Sequence, residues 1–208
     1  MAQPSYELVI GSQFVAQSEF NVIVNKFSGG ELVITNTENK IMFTVKACDT
    51  SFHSQRSLQD EGGKTIATLR EKIMTAHERW NAFRGHSKAD RDKIFSVVTN
   101  RMIQYGTHVK VFLANNMSDI CDFYMRGSWS NRNCTIYKGD SSSTTIIAQY
   151  IDLLFQMQLW QSPERFMVTI YPNVDYAFVV TLIAILDVMK SLAKDDASEV
   201  VAEVLMGL

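Results

Sequence analysis

The chain of 208 residues carries 20 Lys and Arg against 22 Asp and Glu, a formal net charge of −2, with 46% hydrophobic and 20% charged residues. This balance excludes intrinsic disorder and any chain-wide electrostatic pull toward nucleic acid or acidic lipid, so an anion site has to be a local patch. All-β domains of this length remain undivided, and a single domain is expected.

Residues 1–18 are polar and weakly patterned and read as a flexible N-terminal arm. Met1-Ala2-Gln3-Pro4 has neither a signal-peptide pattern nor the Gly at position 2 that myristoylation needs. From Phe20 the chain changes to short segments of period-2 alternation separated by turn residues. Phe20–Phe27 is followed by Ser28-Gly29-Gly30, and Asn36–Asn39 is a hairpin turn between Glu31–Thr35 and Lys40–Lys46. In the last of these strands, alternation puts Ile41, Phe43 and Val45 on one face. Gly62-Gly63 opens Lys64–Lys72, and Met74–Arg79 reads as one helical turn before Trp80–Arg84. The series continues through Ile94–Thr99, Thr107–Leu113, Cys121–Arg126, Asn133–Lys138, Thr145–Ile151 and Phe166–Tyr171. These make about ten or eleven strands, with a further candidate at Phe155–Trp160, and so regular a spacing predicts a sandwich or barrel.

The pattern changes at Pro172. Asn173 is a helix-capping residue type, and Asp175 falls in the first turn, where the helix dipole favours a carboxylate. Tyr176–Leu186 is then apolar around its whole circumference except at Thr181, so something apolar must surround it. Eleven helical residues cover only about 16 Å, against about 30 Å for a bilayer core. Asp187 and Lys190 would fall inside the membrane if the span were lengthened. No transmembrane span is therefore expected. The reading is a mainly β domain over residues 19–192, its sheet closed around a helix at about residues 173–191. Asp196-Ala-Ser-Glu199 reads as a capping box that opens a separate amphipathic helix, Val200–Met206, in a C-terminal extension of residues 193–208.

Several strings resemble the plant LURP-one-related family: TLREK at Thr68–Lys72, HERW…FRG at His77–Gly85, CDFYMRGSW at Cys121–Trp129, IIAQ at Ile146–Gln149 and YPNVDYAFVV at Tyr171–Val180. The resemblance spans roughly residues 25–190. It implies a tubby C-terminal-like fold related to the phospholipid scramblases, a closed antiparallel barrel of roughly twelve strands threaded by one hydrophobic C-terminal helix. It also implies a role in plant defence signalling, and the tubby-like relatives bind phosphoinositides and act as membrane-tethered regulators of transcription. None of their headgroup-binding residues is carried over onto this chain. The scramblases have an acidic, calcium-linked segment before the helix and a cysteine cluster; here that stretch is Pro172-Asn173-Val174-Asp175, and the cysteines are scattered. Lipid translocation is accordingly disfavoured.

Chemistry-bearing groups are sparse. Cys48, Cys121 and Cys134 are odd in number and without a CxxC pair, as expected of reduced thiols in a cytoplasmic protein, with a membrane-peripheral or nuclear place left open. His53, His77, His86 and His108 lack ligand-like spacing, so no metal and no cofactor are expected. Gly29-Gly30 and Gly62-Gly63 lack the strand-to-helix context of a phosphate loop. Asn116-Met-Ser118 and Asn133-Cys-Thr135 read as chance glycosylation sequons. No nucleophile with an oriented base is recognisable, and no enzyme is expected.

What remains is a basic patch. If Thr107–Leu113 and Cys121–Arg126 pair, Cys121, Phe123 and Met125 face the core and Asp122, Tyr124 and Arg126 the surface. His108 and Lys110 then face outward opposite Arg126 and Tyr124. Arg70, Lys72, Arg79, Arg84 and Arg132 add charge, while Trp80 and Trp129 read as core or rim. The group His108, Lys110, Tyr124 and Arg126 is the candidate site for an anionic phospholipid headgroup at a membrane surface. Direct nucleic-acid binding is not expected, and the rival reading is a protein-interaction adaptor or membrane-tethered transcriptional regulator that takes protein partners through the C-terminal extension.

Overall fold

The computed structural model describes residues 8–48, 54–72, 78–99, 107–128, 133–151 and 165–206. Twelve strands run β1 Phe20–Lys26, β2 Leu32–Asn36, β3 Ile41–Ala47, β4 Gln55–Asp60, β5 Thr65–Lys72, β6 Glu78–Arg84, β7 Lys93–Thr99, β8 Thr107–Leu113, β9 Phe123–Ser128, β10 Asn133–Lys138, β11 Ile146–Ile151 and β12 Arg165–Ile170. Each pairs antiparallel with its sequence neighbour, and β12 closes on β1 through Phe20↔Ile170 to Asn25↔Arg165. Closure leaves no edge strand, which a sheet this wide otherwise exposes to pairing with other chains.

The helix α1, Tyr176–Met206, threads the barrel. Ala177 to Ile185 are at most 2% exposed, and Phe178 packs against Phe95 and Phe123 with ring centroids 5.2 and 4.7 Å away. The inward residues of the strands, among them Val22, Ile34, Phe43, Leu58, Leu69, Trp80 and Val111, fill the remaining space. Thr181 answers its own polarity, its hydroxyl donating to the Ala177 carbonyl at 2.7 Å. At the far end Asp187 accepts from the Lys26 ammonium at 2.9 Å and fixes the helix to the last residue of β1. We call the end where α1 begins proximal and the other distal.

Several expectations need correction. β4 has no counterpart in the strand series, because Gln55–Asp60 offers one large apolar residue, Leu58, to a periodicity argument. Ile41 does not share a face with Phe43 and Val45; it is 47% exposed against 1% for each of the others. The cause is a bulge, since Ile34 pairs with Phe43 but Thr35 pairs with Ile41, and the extra Met42 inverts the alternation. Arg79 lies in β6 rather than in a helical turn. Glu78 also lies in β6, while Met74–His77, the Phe155–Trp160 candidate, His53, Trp129 and Arg132 lie outside the described residues. Trp80 is core, 1% exposed. Asn173 is not the cap: it adopts φ 66°, and the Asp175 carboxylate caps α1 by accepting from Phe178 N–H at 3.1 Å. No separate helix starts at Val200, as α1 continues unbroken through Met206.

Residues 8–18, read as part of a loose arm, are docked. Asp175, fully buried, receives three consecutive backbone N–H groups on Oδ2, from Val9 at 3.2 Å, Ile10 at 2.7 Å and Gly11 at 3.0 Å. Val15 bridges Asp175, and Ala16 exchanges backbone bonds with Asn173 and Val174. Arg84 donates to the Ile10 carbonyl at 3.1 Å. Phe14 completes a ring cluster with Phe43 and Tyr176 at 5.6 and 5.7 Å. The strap thus covers the proximal mouth of the barrel.

Candidate functional site

On the outer face of β8, β9 and β10 the strand register brings the expected residues together. His108 lies opposite Arg126 and Lys110 opposite Tyr124, residue for residue as the alternation requires. The next strand adds a residue the sequence reading missed: Tyr137 of β10 pairs with Tyr124. The signal was available, since alternation in Asn133–Lys138 sends Cys134 and Ile136 inward and Thr135 and Tyr137 outward.

These side chains form two contacts. His108 Nδ1 lies 2.6 Å from the Tyr124 hydroxyl. Arg126 Nη2 donates to the Tyr137 hydroxyl at 3.1 Å, and its guanidinium carbon stands 4.9 Å above the ring of Tyr137. That hydroxyl and the phenol's charge hold the Arg126 pKa above its ordinary value. Stacking fixes the plane of the guanidinium and leaves it N–H donors beyond the one given to Tyr137. Tyr124 departs from the surface expectation: its register is outward, yet it is only 8% exposed, with its hydroxyl held by His108.

The patch extends sideways along one hydrogen-bonded row. Lys110 pairs with Val98, Val98 with Arg79 and Arg79 with Lys72, while Arg70 pairs with Asn81. At about 4.8 Å per strand, Arg79 and Lys110 stand about 10 Å apart across a low apolar floor at Val98. Among the described residues no carboxylate forms an ion pair with Arg70, Arg79, Lys110 or Arg126. Asp140 is the nearby acid; its pKa is lowered chiefly by hydrogen bonds from Ser142 and to a lesser degree by Lys110. Arg84, counted with this charge in the sequence, is instead engaged with the strap.

Cys121 is buried, its thiol contacts the Gly139 carbonyl, and burial pushes its pKa up, away from the reactive thiolate. Among the described residues no three His, Cys, Asp or Glu side chains converge as a metal site. What the wall presents is cations, a stacked guanidinium and phenols on a rigid sheet, the donor set that grips a phosphate by charge-assisted hydrogen bonds.

Comparisons with known proteins agree on one family. The model of the LURP-one-related family matches residues 20–187. Protein LURP-one-related 15 of Arabidopsis thaliana is 40% identical over 159 residues, covering 76% of this chain and 72% of that protein. Protein LURP1 of the same plant is 38% identical over 191 residues, covering 89% of this chain and 90% of that protein. An X-ray structure of an Arabidopsis thaliana protein superposes with a TM-score of 0.70 at 33% identity, covering 88% of this chain and 98% of the other.

Proposed function

The chain belongs to the LURP-one-related family, and on that premise we propose that it is a non-enzymatic binding module for anionic phospholipid headgroups. The observation that carries this reading is the outer row, where Lys110 and Arg126 stand beside His108, Tyr124 and Tyr137 and, among the described residues, no carboxylate is paired to either cation. The interior offers little room for a ligand, because α1 and the inward side chains fill it. Among the described residues no helix is long and apolar enough to cross a membrane, which supports contact with a lipid surface over lipid translocation through α1. A role in plant defence signalling is part of the proposal and rests on the family resemblance.

Sedimentation with vesicles tests it. The chain should pellet at low salt with phosphatidylcholine vesicles containing phosphatidylserine or phosphoinositide, and Lys110→Glu with Arg126→Glu should abolish that binding. No binding at low salt, or binding indifferent to the double substitution, rejects the reading at this face. A second reading, as an adaptor for a protein partner, is favoured by the unbroken run of α1 through Met206. It requires that deleting residues 195–208 abolish partner capture while the barrel stays folded.

A further inference from the structure

The β8–β9 hairpin carries the candidate patch on its outer wall, and its tip has an unusual composition for a surface turn. Met117 is 98% exposed and Ile120 is 64% exposed. The exposure does not come from a loose loop. The Asn116 side chain donates to the Ile120 carbonyl at 2.8 Å and to Asp122 at 2.7 Å, and accepts from the Ser118 backbone N–H and hydroxyl at 2.7 and 2.8 Å. Asp122 also receives Leu113 N–H at 2.7 Å, and Gly139 N–H bonds its carbonyl from the next strand. The turn is a braced post holding two apolar side chains in water, and the cost of ordering it is already met.

Cations flank the post. Lys110 lies three residues before its base at Leu113. Lys93 begins β7, whose Ile94 carbonyl receives Ala114 N–H. Of the nearby acids, Asp122 is committed to the loop, Asp140 to Ser142 and Asp92 to Ser87 and Arg91, while Asp119 is exposed at the tip and opposes the arrangement.

We propose that the tip of the β8–β9 hairpin is the membrane-inserting element of this protein, with Met117 and Ile120 entering the bilayer interface while Lys110 and its flanking cations meet the headgroups. The inference rests on the headgroup-binding reading above and adds to it which element enters the lipid. A bilayer fits better than a protein partner. Protein hot spots need a contiguous patch that excludes water, whereas a convex post with two apolar side chains and cations at its base suits a soft interface with anionic headgroups above it.

The test uses the full chain carrying Cys48→Ser and Met117→Cys with an environment-sensitive fluorophore on the new thiol. Cys121 and Cys134 are 4% and 3% exposed and stay unlabelled. Vesicles of phosphatidylcholine with about one-fifth phosphatidylserine should shift the emission to the blue. In the unlabelled chain, Met117→Asp with Ile120→Asp should weaken vesicle binding about tenfold or more. If vesicles pellet the protein while the label stays water-like, or the Asp variant binds as well as the native chain, the tip is not inserted and the headgroup reading survives. If the native chain pellets with no vesicle, both fall. A blue shift that grows with protein concentration in the absence of lipid would assign the tip to a second copy and overturn the proposal.

Discussion

Asp175→Ala tests how the strap is held. The substitution removes the cap of α1, which contributes about 1 kcal/mol. It also leaves the Ile10 N–H, buried and bonded at 2.7 Å, without an acceptor, at about 1–3 kcal/mol. The Val9 and Gly11 N–H groups are partly open to water and lose about 0.5–1 kcal/mol each. The sum is about 3–6 kcal/mol, a large share of the roughly 5–15 kcal/mol that stabilises a domain. Urea unfolding should show the loss, and a change under about 1 kcal/mol would refute the assignment. Asp175→Asn separates the two roles. Its carbonyl can still cap Phe178, but its NH2 then faces the strap donors, so hydrogen exchange should accelerate at Val9, Ile10 and Gly11 while Phe178 stays protected. The ionised form has a pH signature as well. Burial pushes the Asp175 pKa above the ordinary carboxylate value, against the four backbone N–H groups that pull it down. A raised folded pKa gives stability that is present below the unfolded value and is lost as pH rises through the folded one. The stability gap between native chain and Asp175→Asn should therefore widen as pH falls from 7 toward the ordinary carboxylate range.

Two further predictions follow from the same packing. Gly127 has φ 140°, and a Cβ there would clash with the Asn133 carbonyl oxygen, so Gly127→Ala should destabilise the chain by at least about 2 kcal/mol; an unchanged urea midpoint would count against the β9–β10 register. Cys48 is exposed while Cys121 and Cys134 are buried, so a thiol reagent should modify one group quickly and the other two only on unfolding, and rapid modification of all three would contradict the core assignment.

The strands legible in the sequence are those whose alternation is unbroken. Val22 and Val24, Val97, Val109 and Val111, and Cys134 and Ile136 all face inward where period 2 puts them. β4 was hidden because Arg56 and Ser57 are buried polar residues in a strand whose apolar content is Leu58. Ile41 was misassigned because a bulge leaves no mark in composition. The His108–Arg126 and Lys110–Tyr124 pairs were legible because a single hairpin fixes them. Tyr137 needs the third strand. The Asp175 contacts with Val9, Ile10 and Gly11 span 164 to 166 residues, beyond any local pattern, so the sequence shows a carboxylate at a helix start and conceals the strap that it holds.

The same helix also decides where binding can occur. In open-bored barrels the interior is the natural ligand site, because inward side chains leave a cavity. Here α1 fills that space along Tyr176–Met189, with Asp175 and the strap at the proximal mouth and the Lys26–Asp187 pair at the distal level. A ligand inside would have to displace Phe178 from between Phe95 and Phe123, against the packing that stabilises the domain. The outer wall bears no such cost. Its residues are already positioned by a closed ladder of backbone bonds, so substitutions such as Lys110→Glu change the surface charge without reaching the core that Val109 and Val111 share with α1. On the proposed reading, recognition and stability fall to alternate residues of one strand, and loss of vesicle binding in a Lys110 variant with an unaltered urea midpoint is the result this division requires.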